Sequence, residues 1–331
     1  MPALISIITC TRNPAPDLFR RVLVAMEALV IPAGHEIEYL IIDSGSDHPL
    51  ADRAEEQLFL ATLPWSRVVR AETPGLSTAR RLGLRETRGD LIVWFDDDNV
   101  PAPDYLLHVV RTAAAHPGVT VWGAGTIRVE FTESVPQWVD PDMRPFFQER
   151  AHGRDEFGTA QHWAPYFPVG SGLVTRRSAA ERWADATARG AYTLTGRNGS
   201  QLSSGDDAQI IFGAVAAGES VGVVAAQRLT HLIPTTRCTV AYLIRLEFAL
   251  SASLRVARAE CFPADAAARS FSGLGPAAAA RASFAAYRAH GTRVARFEAA
   301  RRLGALSGTL QTANRPEPWW LRAAIAALRA R

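Results

Sequence analysis

Apolar and polar positions change their rhythm repeatedly along the first 130 residues. Short apolar runs at 4–10, 37–43, 67–70, 91–95 and 119–131 read as strands. Between them, 17–30, 52–63, 77–87 and 103–115 carry apolar residues at helical intervals. Strand–helix alternation of this kind predicts a largely parallel sheet covered on both faces. The rhythm lapses over 132–166, where Pro136, Pro141, Pro145 and Pro165 lie among Trp138, Phe146, Phe147, Trp163 and Tyr166. A long aromatic loop either closes over a ligand or fills the core. Regular structure resumes with a strand at 166–175, helices at 177–189 and 206–218, and short strands at 221–225 and 228–232. From Val240 the chain is rich in Ala and Arg and favours helix, with breaks at Pro263, 273–276, Gly291 and 316–318. The closing segment puts Leu321, Ile325 and Leu328 on one helical face beside Trp319 and Trp320. That face either docks on its own protein or anchors at a membrane interface.

The apolar run Leu91-Ile92-Val93-Trp94-Phe95 ends abruptly in Asp96, Asp97 and Asp98. Three carboxylates at the exit of a buried strand repel one another and need a cation or water. Hard oxygen ligands there suit Mg²⁺ or Mn²⁺, which in turn hold phosphate. A solvated acidic turn is the plainer reading. In parallel sheets ligands gather at the carboxyl ends of strands. Residues 9–12, 43–47 and 96–98 all fall at such ends, so three polar clusters converge on one crevice.

Composition narrows the picture. The cysteines Cys10, Cys238 and Cys261 have no ligand-like spacing, which argues for reduced thiols and against a disulfide framework or zinc site. The opening residues lack a basic leader, so no secretory signal is expected. Glu219 interrupts the most apolar stretch, 208–226, so no membrane span is expected. The formal charge of +3 conceals an asymmetry. Residues 237–331 hold 15 Arg and 5 acidic groups, a net +10, whereas 1–236 are net −7. A basic C-terminal third points to an anionic partner, such as membrane headgroups or a lipid diphosphate, ahead of nucleic acid.

Six segments, in order, resemble family 2 glycosyltransferases of the GT-A fold. Ile5-Ser6-Ile7-Ile8-Thr9-Cys10-Thr11-Arg12-Asn13 is similar to the family's opening strand and nucleotide loop. Asp43-Ser44-Gly45-Ser46-Asp47 resembles its second strand ending, shortened by one residue. Pro74-Gly75-Leu76-Ser77-Thr78-Ala79-Arg80-Arg81-Leu82-Gly83 is similar to its third segment, with Arg81 where Asn is usual. The stretch from Gly89 to Asp98 resembles its Asp-x-Asp strand. Gly205-Asp206-Asp207 resembles its Glu-Asp pair, and His231-Leu232-Ile233-Pro234 its late His motif. The match spans roughly 4–235.

The resemblance implies an α/β fold: a GT-A-like, Rossmann-type, mostly parallel sheet flanked by helices, with a helical C-terminal appendage. It places a catalytic domain at 1–236, its nucleotide-binding half about 1–130 and its acceptor half about 131–236, followed by the appendage at 237–331. The implied enzyme is an inverting, metal-dependent glycosyltransferase using a UDP-linked sugar and a hydroxyl of a polysaccharide, glycolipid or lipid-linked acceptor. No nucleic-acid partner is expected, and the expected location is the cytoplasm, peripheral at the inner face of the membrane. A divalent cation, Mn²⁺ or Mg²⁺, neutralises the diphosphate leaving group. Asp98 is its implied direct ligand, with Asp96 and His231 completing the shell and Asp97 toward the ribose. His231 reads equally as a core histidine. Asp43 accepts from base or ribose, or else caps a turn. Thr9 and Arg12 contact the nucleobase. Arg80 meets base or diphosphate, or else lies on a solvated helix face. Asp207 is the implied catalytic base, with Asp206 capping the helix it begins. Gly170-Ser171-Gly172 with Arg176-Arg177 would border the acceptor pocket. Two other readings share these residues: a sugar-nucleotide nucleotidyltransferase, which wants glycines that 9–13 lacks, and a non-catalytic sugar-nucleotide binder.

Overall fold

The computed structural model describes residues 3–139, 143–196, 205–265 and 276–329. Its first half runs β1 (Ala3–Thr11), α1 (Pro16–Glu27), β2 (His35–Asp43), α2 (Ala54–Leu60), β3 (Ser66–Arg70), α3 (Leu76–Glu86) and β4 (Leu91–Phe95). There follow β5 (Asn99–Pro101), α4 (Tyr105–Ala115), β6 (Val119–Phe131), β7 (Arg150–Ala151), β8 (Glu156–Gly158) and β9 (Leu173–Arg176). The chain continues with α5 (Arg177–Ala188), α6 (Asp206–Ala216) and β10 (Ser220–Ile233), then α7 (Val240–Cys261), α8 (Pro276–Thr312) and α9 (Trp319–Arg329).

One sheet has the order β3-β2-β1-β4-β9-β6-β10-β5, with β7 on β6 and β8 on β10. The first four strands are parallel, as the alternation predicts. β9 enters antiparallel between β4 and β6, and β10 returns parallel to β6. Side chains alternate across this sheet. Ile5, Ile7, Tyr39, Ile41, Val93 and Phe95 pack on one face with α1 and α4. Ile8, Leu40, Ile42, Ile92 and Trp94 pack on the other with α3, α5, α6 and α7. Burial of each large apolar side chain contributes about 1.5–3 kcal/mol, which is why short runs suffice to fix strands here.

Three expectations change. The strand expected at 166–175 is only β9, because Pro168 and the positive φ of Gly172 (69°) bend the segment before it. The two strands expected at 221–232 are one, β10, with an irregularity: Val224 pairs with Ala124, but Arg228 pairs with Thr126. Four steps along β10 thus match two along β6, a bulge. The aromatic loop is divided between roles. Phe147 is buried, Trp163 stacks edge-on against Phe167 and Phe212, and Phe146 meets Phe297 of α8. Pro141 and the start of the 273–276 break lie outside the described residues, as does the side chain of Leu328.

The C-terminal helices pack as a unit with the rest. α8 is broken at Gly291 (φ 82°), where the sequence places an interruption. Leu321 and Ile325 of α9 pack with Leu303, Leu306 and Leu310 of α8, so this face docks on the protein, while Trp319 stays exposed. Among the described residues no helix is long and apolar enough to cross a membrane. α7 and α8 approach through Gly304 and Gly308. A methyl group on either would stand 2.3 Å from a backbone oxygen of α7, at Phe248 or Ala252. Backbone cannot yield cheaply, so Gly304→Ala is expected to destabilise by about 1–3 kcal/mol. Thermal unfolding measures this; an unchanged Tm would show that the two helices part freely.

Candidate active site

Parallel pairing aligns Thr11 with Asp43 and Thr9 with Phe95, so the loops after β1, β2 and β4 open on one side. They border a cleft of about 250 Å³. Thr11, Arg12, Ser44 and the carboxylates 96–98 line it from these loops, and Asp207, His231 and Arg237 from later segments. The convergence expected from sequence is therefore present.

Asp98 is buried and sits at the centre of one wall. Its Oδ1 lies 3.3 Å from His231 Nε2 and accepts from Asn99 Nδ2 at 3.0 Å; its Oδ2 accepts from Arg237 Nη1 at 2.9 Å. His231 sits on β10 between Asn99 of β5 and Val129 of β6. Its Nδ1 is 2.8 Å from the Phe147 carbonyl, which can only accept. That bond fixes the tautomer and leaves Nε2 facing Asp98. Burial is the largest single influence and disfavours the imidazolium, but the Asp98 charge, the hydrogen bonds to Asp98 and the Phe147 carbonyl, and the Asp96 charge together raise the His231 pKa. Asp97 accepts from the Thr11 hydroxyl. Burial, then the adjacent Asp98 charge, push its carboxyl up to about 7.

The fit to a divalent cation rests on these donors. Among the described residues no three acidic, His or Cys groups form a ready-made cage. Asp98 and His231 Nε2 nevertheless face each other across 3.3 Å, beside two further carboxylates whose mutual repulsion a cation would relieve. Ions bound through one or two carboxylates plus substrate phosphates are usual for Mg²⁺ sites. The donor set fits.

The other wall is the start of α6. Gly205, with φ 140°, occupies the cap position, so Asp206 is the first helical residue and not the cap expected. Its carboxylate instead pairs with Arg80: Nη1 to Oδ2 is 2.6 Å, with both side chains buried. Arg80 is therefore no solvated face; it borders the cleft, anchors α6 and lies 5.8 Å over the Trp94 ring. This fixed pair presents Asp207, whose Oδ1 accepts from the Ala208 N–H at 2.8 Å. Burial, and after it the neighbouring Asp206 charge, hold the Asp207 pKa above the usual carboxylate range. Gly170 lies against it: a methyl group there would stand 3.0 Å from Asp207 Oδ2. Gly170→Ala is expected to displace that carboxylate and lower kcat by about ten- to a hundredfold, with Tm nearly unchanged. Steady-state kinetics would show this; an unaltered kcat would mean the position of Asp207 is not critical.

Two of the residues expected in the site lie outside it. Thr9 shares the face of Ile5 and Ile7, is fully buried, and accepts from the Tyr39 hydroxyl at 3.2 Å. The cleft residue is Thr11. Asp43 is also buried and does not line the cleft. Its oxygens accept from the Ser46 and Leu50 N–H groups and from Arg70, at 2.8, 3.0 and 3.1 Å, so it organises the loop after β2. Arg176 and Arg177 turn away too, donating to carbonyls of Ala113, Val119, Leu84 and Gly89. Arg237 and Gln148 line the cleft unforeseen. Gln148 holds a left-handed backbone (φ 70°) while its Oε1 accepts from the Ser171 N–H.

Known proteins share this architecture. A mannosyltransferase of Pyrobaculum calidifontis, solved with GDP-Man and Mn²⁺, superposes with TM-score 0.54 over 89% of this chain and 85% of its own, at 20% identity. GalNAc-T7, solved with UDP, GalNAc and Mn²⁺, gives TM-score 0.50 at 14% identity, over 76% of this chain and 51% of its own. At such identities the likeness establishes the GT-A-like fold. EpsH of Bacillus subtilis (strain 168), which carries the name of a glycosyltransferase, is 27% identical over 125 residues. That stretch is 38% of this chain, and the chain spans only 35% of EpsH. The model for glycosyl transferase family 2 matches residues 6–183, more than half of the chain, and the chain belongs to that family.

Proposed function

We propose that this glycosyltransferase moves a sugar from a nucleoside-diphosphate donor to an acceptor hydroxyl, with inversion at the anomeric carbon. The observation that carries this reading is the pairing, in one cleft, of the Asp98–His231 wall with the raised-pKa carboxylate Asp207. Complexes of related folds with GDP-Man or UDP and Mn²⁺ support the donor class.

Asp98 and His231, with Asp96, would hold the cation, which when bound neutralises charge developing on the diphosphate. Arg12 and Arg237 add fixed positive charge at the same cleft. Asp207 takes the proton from the acceptor hydroxyl as that oxygen bonds to the anomeric carbon and the diphosphate departs. Direct displacement of this kind inverts the centre. The Arg80–Asp206 pair keeps the start of α6, and with it Asp207, in place.

A thermal-shift screen of UDP- and GDP-linked sugars, with and without Mn²⁺, tests the donor site. A true donor at about a hundredfold its Kd stabilises by about 2.7 kcal/mol, and the shift should require the cation. The absence of any manganese-dependent shift across the screen would overturn the donor assignment.

A further inference from the structure

Beside the donor cleft lies a second cavity, of about 560 Å³, well within the range of small-molecule sites. It shares Gln148, Asp207, His231 and Arg237 with the cleft, so its polar end is the end where transfer would occur. Its far wall is α7. Tyr242, Leu246, Leu250 and Leu254 recur every four residues and all line the cavity. Phe146, Trp163 and Val169 face them from the loops before β9. Such a surface disfavours a purely polar glycan.

Away from the shared end, Arg150 interrupts this lining. Arg150 donates Nη1 to the Phe167 carbonyl at 2.8 Å, and among the described residues no carboxylate pairs with it. The acidic groups nearby are engaged elsewhere. Glu149 pairs with Arg144 at 2.9 Å, while Glu247, whose pKa is raised chiefly by burial, accepts from the Ser251 hydroxyl. Burial without a counter-charge holds the Arg150 pKa down. A half-buried guanidinium without a counter-charge is stabilised by an incoming anion.

The cavity thus combines three chemistries: a carboxylate suited to activating a hydroxyl, an uncompensated cation and an apolar channel. We infer that it takes the acceptor, and that the acceptor is a phosphate-bearing lipid. Its anionic group sits at Arg150, and its aliphatic chain lies along Tyr242, Leu246, Leu250 and Leu254. This assignment rests on the reading of Asp207 as the base, and it narrows the acceptor to one class.

Calorimetric titration of the full chain tests it, with decyl phosphate, decyl glucoside and inorganic phosphate as probes below their micelle-forming concentrations. Decyl phosphate should bind at least tenfold more tightly than either of the others. Arg150→Gln should abolish its advantage over decyl glucoside, and Arg150→Lys should retain most of it. Leu250→Asp should weaken both decyl compounds at least tenfold while leaving nucleotide-sugar stabilisation unchanged. Circular dichroism of each variant confirms that the fold is kept. The headgroup assignment is overturned if decyl phosphate and decyl glucoside bind alike, or if Arg150→Gln keeps the preference. The chain assignment is overturned if decyl phosphate binds no better than phosphate, or if Leu250→Asp changes nothing. Donor binding is read separately in the manganese screen. Donor stabilisation without decyl phosphate binding overturns this inference alone; the converse pattern overturns the donor reading and leaves the lipid site standing.

Discussion

Asp207→Asn should lower kcat by about 10²–10⁴-fold, the usual contribution of a positioned general base, while donor stabilisation by Mn²⁺ stays as in the parent. Asn keeps the shape of Asp, and its amide oxygen can still accept from the Ala208 N–H, so α6 should begin as before. What is lost is the ability to take a proton. The same residue should set the acid limb of the pH profile. Burial and the Asp206 charge raise its pKa, so Asp207 gains a proton at higher pH than an exposed aspartate would. Activity should therefore fall, as pH is lowered, at a pH above the ordinary Asp value of about 3.9. That limb should be missing from whatever activity Asp207→Asn retains. Full turnover in this variant would remove Asp207 from the chemistry.

Arg80→Met should be the most damaging single change to stability. Arg80 and Asp206 lie 126 positions apart in sequence, yet their side chains meet at 2.6 Å with 5% and 2% of their surface exposed. Removing one partner leaves the Asp206 charge buried and uncompensated, which costs about 3–5 kcal/mol. Replacing both, as Arg80→Met with Asp206→Leu, should recover most of that loss, since apolar groups of similar volume tolerate the same burial. Denaturant unfolding of the two single variants and the double gives the coupling directly. Simple additivity would show that the pair is not energetically linked.

Much of this was legible in the sequence, and the misses have identifiable causes. β4 and β6 begin and end where the apolar runs do, because burial on both faces leaves little freedom at their ends. The acidic run 96–98 and the pair 206–207 could be placed at element ends from their neighbours alone. Thr9 lies at the end of the right strand but alternates with Ile5 and Ile7, and that period of two puts it on their buried face, out of the cleft. Asp43 shows the reverse case, a residue at the right strand end whose oxygens its own loop consumes. Arg237 and Gln148 escaped because they sit in irregular segments, where no periodicity says which way a side chain points. For Arg237 the one clue was its nearness to the His231 motif. The Arg80–Asp206 pair left no local trace, since tertiary packing alone brings α3 to α6.

The bulge in β10 lies upstream of His231 and sets how far along the sheet that imidazole arrives. Excising two residues between Val224 and Arg228 would keep every side chain on its proper face, because two is the period of a strand. It would also leave His231 opposite Val129, because the excised pair is the surplus that the bulge absorbs; paired regularly at full length, β10 would instead carry His231 opposite Phe131, about 6.6 Å along at roughly 3.3 Å per residue, beyond the reach of Asp98. The Asp98–His231 corner is thus gauged by that surplus pair, and a homologue that kept both residues but lost the bulge would present the same groups out of step.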